Sequence, residues 1–157
     1  MRKSVYLDST ILSYLFDERE SIKMYVDITK KWWDEERQNF DVWISEETIA
    51  ELSTGDYPNK TKIIECISQI SVLPPDASLV SIAQIYLENY LMPQTLTGDA
   101  LHLAYASYYK IDFLLTWNCN HLANANKKQH IRIINSRIDL FTPEIITPLE
   151  LFTETEL

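Results

Sequence analysis

Carboxylates at the ends of strands can hold a divalent cation, and three residues of this chain have that character. Asp8 closes the short β-type run Ser4-Val5-Tyr6-Leu7 and is followed at once by the helix-like Ser9 to Leu15. Glu51 lies between Ile44 and Leu52, just after the strand-like Phe40-Asp41-Val42-Trp43-Ile44. Asp99 opens the strongly apolar Ala100-Leu101-His102-Leu103-Ala104. Acids at successive strand-to-helix junctions gather at the carboxyl edge of one parallel sheet, where open α/β folds bind ligands. Three acids meeting there repel one another unless a cation sits among them, so the chemistry implied is that of a divalent metal.

Each position also has a plainer reading. Asp is among the best N-cap residues, so Asp8 could simply cap its helix. Asp99 falls in the first turn after a Thr97 cap, where a carboxylate favours the helix dipole. Glu51 is too deep in its helix to be a cap. Glu47, four residues earlier, gives a like-charge spacing that costs a few tenths of a kcal/mol and that a cation would relieve; a solvent-facing glutamate is the alternative. Thr116 and Asn118 end a fourth strand-like run and point to the same edge. Asn118 could be a turn residue, or a neutral oxygen ligand that also hydrogen-bonds a metal-held water. His102 reads as packed or hydrogen-bonded rather than as a ligand.

The elements that must position these residues alternate. A strand near 3–8 leads to a helix at about 9–17 and an amphipathic helix near 21–38. A strand near 40–45 leads to a helix at 46–54. Helical spacing covers 59–69, and a short strand at 71–73 is stopped by Pro74-Pro75. Helices at 76–91 and 98–110 follow, then the apolar run 113–116, a short helix near 119–127 and a further apolar run, Ile131 to Asn135. Alternation with near-continuous apolar strands predicts an α/β fold, a parallel sheet of four to five strands with helices on both faces. Residues 136–157, with Thr142-Pro143 and Thr147-Pro148, read as an irregular C-terminal strap ending in a helical turn.

Composition narrows the function. A chain of 157 residues, 46% apolar, fits one domain spanning 1–157 with a sizeable core. Only Gly55 and Gly98 occur, which excludes a glycine-rich phosphate loop of either the dinucleotide or the P-loop type. Cys66 and Cys119 are far apart without a CxxC partner; with no apolar leader, the chain reads as cytoplasmic, with reduced thiols and Cys119 a small buried one. No apolar run approaches the ~20 residues that span a bilayer. The net charge of −9 disfavours phosphate attraction through the global field. Lysines and arginines are scattered, so ions in the acid cluster, a local basic patch or a basic partner must offset it.

Taken together, Val5-Tyr6-Leu7-Asp8-Ser9-Thr10, Ile44-Ser45 through Glu51-Leu52, Asp99-Ala100-Leu101-His102 and Leu114-Leu115-Thr116-Trp117-Asn118 resemble the PIN domain family, in particular its VapC-like toxin branch, over roughly residues 3–135. The resemblance implies a metal-dependent endoribonuclease using Mg²⁺ or Mn²⁺ to cut RNA, a cognate antitoxin as partner, and a homodimer. Carried over, Asp8, Asp99 and Glu51 would be the metal-binding acids, Glu51 through water or as base for the attacking water, with Thr116 and Asn118 beside them. Many members place a fourth acid near the end of strand four, where this chain has Thr116-Trp117-Asn118-Cys119-Asn120-His121 and no carboxylate. A PIN-like module that binds RNA or protein without turnover is therefore the alternative. A haloacid-dehalogenase-like phosphatase, suggested by Asp8-Ser9-Thr10, lacks the second acid at position 10.

Overall fold

Four helix starts are written into the sequence as side-chain caps that stop an extended run and turn it into a helix. The Asp8 carboxylate accepts the Thr10 N–H, Asp76 that of Ser78, and Asn124 that of Lys127. Ser45 and Thr48 cap each other reciprocally at the fourth start. The computed structural model describes residues 2–92 and 97–153. In order, it contains β1 (Lys3–Leu7), α1 (Ser9–Leu15), α2 (Lys23–Glu35), β2 (Phe40–Ser45), α3 (Glu46–Ser53), α4 (Lys60–Ile67) and β3 (Ser71–Leu73). These are followed by α5 (Ala77–Glu88), α6 (Thr97–Tyr108), β4 (Phe113–Leu115), α7 (Ala125–Arg137) and β5 (Glu144–Ile146). The segment 21–38, expected as one helix, is α2 with a 3₁₀ turn on either side.

The five strands form one parallel sheet in the order β3-β2-β1-β4-β5. From β1 the chain steps outward through β2 and β3, then crosses back to lay β4 on the other side of β1. The switch point is therefore between β1 and β4, where the connections leave in opposite directions and open a crevice at the strands' carboxyl ends.

Alternation along β1 divides the core. Tyr6 faces α5, α6 and α7 with Leu103, Leu114 and Ile145. Val5 and Leu7 face α1 to α4 with Ile11, Leu12, Trp32 and Ile44. Both faces of the sheet are covered by helices, as the near-continuous apolar strands require.

Two elements differ from the sequence reading. Ile131 to Asn135 lies in α7, not in a strand. Ile131 and Ile134 are buried three residues apart while Ile133 is 44% exposed, which is a helix with one apolar face. The sheet's fifth strand instead comes from the tail, which is less irregular than expected. Beyond it, the buried Glu36 carboxylate accepts the Thr153 N–H at 3.0 Å and its hydroxyl at 2.7 Å. Cys119, expected to be buried, is exposed. Among the described residues no helix is long and apolar enough to cross a membrane.

Trp32 is fully buried between α2 and the sheet, and its Nε1 is the one buried side-chain polar atom without a partner among the described residues. Trp32→Ala is expected to cost about 3–5 kcal/mol by opening a cavity. Both variants remove the orphaned indole N–H, whose desolvation carries about 1–3 kcal/mol, and Trp32→Phe should cost much less because its ring fills most of the cavity. Denaturant midpoints of the two variants measure the difference; equal losses would show that a phenyl ring recovers none of the lost packing.

Candidate metal centre

The site is built outward from the β1–β4 switch. Asp8 follows the last residue of β1, and its own N–H continues the ladder to Leu115 O at 3.3 Å. Its carboxylate is 2% exposed. One oxygen accepts the Thr10 N–H at 3.0 Å and the Thr10 hydroxyl, and the other accepts the Thr116 hydroxyl. Burial lifts the Asp8 carboxyl above its ordinary range and the charge of Asp99 adds to that; His102 and the two hydroxyls work against it. A carboxylate short of positive charge is what a cation would correct.

Thr116 is fully buried. It takes the Asn118 N–H on its hydroxyl oxygen at 2.9 Å and gives its own N–H to Ile146 O at 3.0 Å. Trp117 anchors the turn: its N–H reaches the Thr10 hydroxyl at 3.0 Å and its indole N–H the Thr29 hydroxyl at 2.8 Å. Tyr14 stacks on the indole and Tyr25 meets it edge-on. So held, Asn118 donates its side-chain N–H to Asp99 Oδ2 at 2.9 Å, and His121 Nδ1 lies 3.0 Å from the same oxygen. The Asn118 side-chain carbonyl accepts the His121 N–H at 3.1 Å.

Glu51 is placed differently. Its carboxylate is paired with His102 Nε2 and is one-third exposed, with side-chain exposure of 35%. Burial pulls the His102 pKa down, but the Glu51 bond and the charges of Glu51, Asp8 and Asp99 outweigh it and hold the imidazole above its ordinary range. Glu47 sits above the usual carboxylate range through burial and then through the charge of Glu51.

The structure thus joins Asp8, Thr116, Asn118 and Asp99 through hydrogen bonds and charge, and sets Glu51 to one side on His102. Among the described residues no three acids, histidines or cysteines stand close enough to hold an ion as they are arranged. The donor set still fits Mg²⁺ or Mn²⁺: hard carboxylate oxygens suit these ions. Sequence reasoning missed His121 and the partnership of His102 with Glu51. His121 was detectable only as the residue three beyond Asn118. Away from this edge, a hollow of about 540 Å³ lies between α1 and α4, lined by Phe16, Tyr57 and Ile63.

Comparison with known proteins gives the same architecture. VapC20 of Mycobacterium tuberculosis, a toxin that cleaves the sarcin–ricin loop, superposes with a TM-score of 0.59 at 13% identity, covering 75% of this chain and 92% of its own. VapBC2 of Rickettsia felis, bound to a DNA fragment from its promoter, gives 0.55 at 16% identity over 91% of this chain and 97% of that one. VapBC-1 of nontypeable Haemophilus influenzae gives 0.55 at 19% identity over 93% and 98%. No curated protein sequence matches at comparable significance. The PIN domain family matches residues 5–128, a stretch that runs from β1 into α7 and includes all five of the residues expected from the sequence to form this site. On the strength of that match the chain belongs to the PIN domain family.

Proposed function

We propose that the protein is a divalent-metal-dependent endoribonuclease that cleaves RNA phosphodiester bonds as the toxin of a type II toxin–antitoxin pair. The observation that carries this reading is the buried Asp8 carboxylate, short of positive charge and coupled to Asp99 at the switch of a parallel sheet. PIN nucleases generally use divalent ions, and the VapC-type neighbours support an antitoxin partner. A homodimer and a cytoplasmic setting complete the reading.

Asp8 and Asp99 would hold the ion directly, with Glu51 reaching it through water. When bound, Mg²⁺ or Mn²⁺ supplies Lewis acidity at a phosphate oxygen and an activated water. The chain's own contribution is orientation. Thr10 and Thr116 bond both oxygens of Asp8 and fix its orientation. Asn118 and His121 hold Oδ2 of Asp99 and leave Oδ1 for the ion. With a net charge of −9, the ion is also the bridge between an acidic edge and an anionic substrate.

The test is single-turnover cleavage of a mixed-sequence RNA at saturating Mn²⁺, with Asp99→Asn as the blank. Wild-type cleavage that exceeds the blank and stops on chelation supports the reading. Cleavage equal in both proteins points to a contaminant or another site. No cleavage above the blank under any divalent ion overturns it in favour of an RNA- or protein-binding module. That alternative rests on the absence of a fourth acid, since the Asn118 amide already occupies an oxygen of Asp99.

A further inference from the structure

Four buried polar side chains stand behind Glu51 and have no part in the scheme above. The Tyr6 hydroxyl lies 2.6 Å from Ser45 Oγ, 3.2 Å from Thr48 Oγ1 and 2.6 Å from His102 Nδ1. Tyr6, Ser45 and Thr48 are fully buried and His102 is 1% exposed. Ser45 and Thr48 are also the reciprocal caps that start α3, the helix carrying Glu51. The chain of contacts therefore closes on itself, running from the start of α3 through Tyr6 of β1 and His102 of α6 back to Glu51 in α3.

The protons in this chain can be followed. Thr48 Oγ1 gives its hydrogen to Leu7 O at 3.2 Å. Burial keeps the Tyr6 phenol protonated far beyond neutrality. With a neutral ring, Tyr6 donates to Nδ1 and Nε2 carries the hydrogen; with a charged ring, both nitrogens carry one and Tyr6 donates to Ser45 instead. In both states Nε2–H points at Glu51 Oε1, so the pairing does not depend on which state holds.

A second, independent feature fixes the other oxygen. A Cβ at position 98 would stand 2.8 Å from Glu51 Oε2 and 3.5 Å from Glu47 Oε1. Gly98 precedes Asp99 in the first turn of α6, so the bare glycine is what lets the Glu51 carboxylate lie against the helix that carries Asp99.

We propose that His102, backed by Tyr6 and Ser45, is a positioning residue that holds the Glu51 carboxylate over Gly98, and that this placement sets how tightly the Asp8–Asp99 edge retains a divalent cation. The proposal rests on the metal site described under Proposed function. It assigns Glu51 a single orientation with Oε1 committed to the imidazole, so any reach toward the ion is through Oε2.

The measurement is the Mn²⁺ concentration that half-saturates the rise in melting temperature, read without RNA and without turnover. His102→Leu removes the donor. Gly98→Ala leaves the buried chain intact and pushes only the flexible end of Glu51, so it carries the test should the leucine variant fail to fold. Both should raise the half-saturating Mn²⁺ by about 10- to 100-fold, the usual cost of losing a group that orients a metal ligand. His102→Gln, which can still offer an N–H to Glu51, should recover part of the loss. In a Glu51→Gln background neither substitution should add further loss, because the coupling runs through that carboxylate. Unchanged half-saturation in Gly98→Ala, or an undiminished loss in the Glu51→Gln background, overturns the proposal while leaving the metal site standing. A wild type with no Mn²⁺ response, or a response that survives in Asp8→Asn, overturns the site and the proposal together.

Discussion

Asp8→Asn should reduce divalent-dependent RNA cleavage by more than about 100-fold, beyond the cost of losing a group that only orients a ligand. The same substitution should leave the metal-free protein at least as stable as the wild type. Asn caps helices about as well as Asp, and its amide can donate to Thr116 Oγ1 while its oxygen keeps the two Thr10 donors. The pH dependence separates site from cap. Burial raises the Asp8 pKa in the folded chain. A carboxyl raised on folding contributes stability that is fully present below the ordinary carboxylate range and is lost as pH climbs through the folded value. The wild type should therefore lose stability relative to Asp8→Asn as pH rises from the acid range toward neutrality, and saturating Mn²⁺ should reverse the difference. Melting temperatures of both proteins across that window, with and without the ion, provide the check. A variant less stable than the wild type at every pH would make Asp8 a cap and nothing more.

The second large effect is expected at position 118. Asn118→Asp replaces the N–H that reaches Asp99 Oδ2 at 2.9 Å with a carboxylate oxygen facing another carboxylate. Losing a hydrogen bond to a charged group costs about 2 kcal/mol, and the added repulsion has the same sign, so the metal-free variant should melt earlier. With Mn²⁺ the sign should invert: a third acid at the edge tightens the ion, and the ion-induced rise in melting temperature should exceed that of the wild type. Cleavage should accelerate about tenfold, which needs only ~1.4 kcal/mol of added stabilisation of developing charge. An apo loss with no gain in Mn²⁺ response would place the ion away from position 118.

Which elements were legible follows from where their signal resides. β1 to β3 announce themselves as short apolar runs stopped by a cap or a proline, with the helices after them starting on Asp8, Ser45 and Asp76, and β4 shows as the apolar run Phe113-Leu114-Leu115. The β5 signal, Glu144-Ile145-Ile146, is only three residues between two prolines and carries no periodicity. The apolar run Ile131 to Asn135 does not declare its element, because adjacent isoleucines hide a helical face when their burial is unknown; only with Ile133 outside and Ile134 inside does the period become 3.6. At the site, sequence order shows which residues end strands but not which way they turn. The pairing of Glu51 with His102 spans 51 positions, and that of Tyr6 with His102 spans 96. Neither leaves a local mark. The position of Gly98 beside Asp99 could have prompted the question of what lies against it, but the answer is a side chain from α3.

The late strand has a consequence for the order of events during synthesis. Thr116 is clamped by Asp8 on one side and by Ile146 O on the other, so β4 is an open edge until β5 has been made and docked. A nascent chain that ends before residue 144 holds all five residues of the candidate site, yet the strand that orients two of them lacks one neighbour. The Thr116 N–H is then left to water, and the backbone leading to Asn118 is held only from the side of β1, α1 and α2. The edge therefore gains its last backbone hydrogen bond only once residue 146 has been made, whatever the state of the acids upstream.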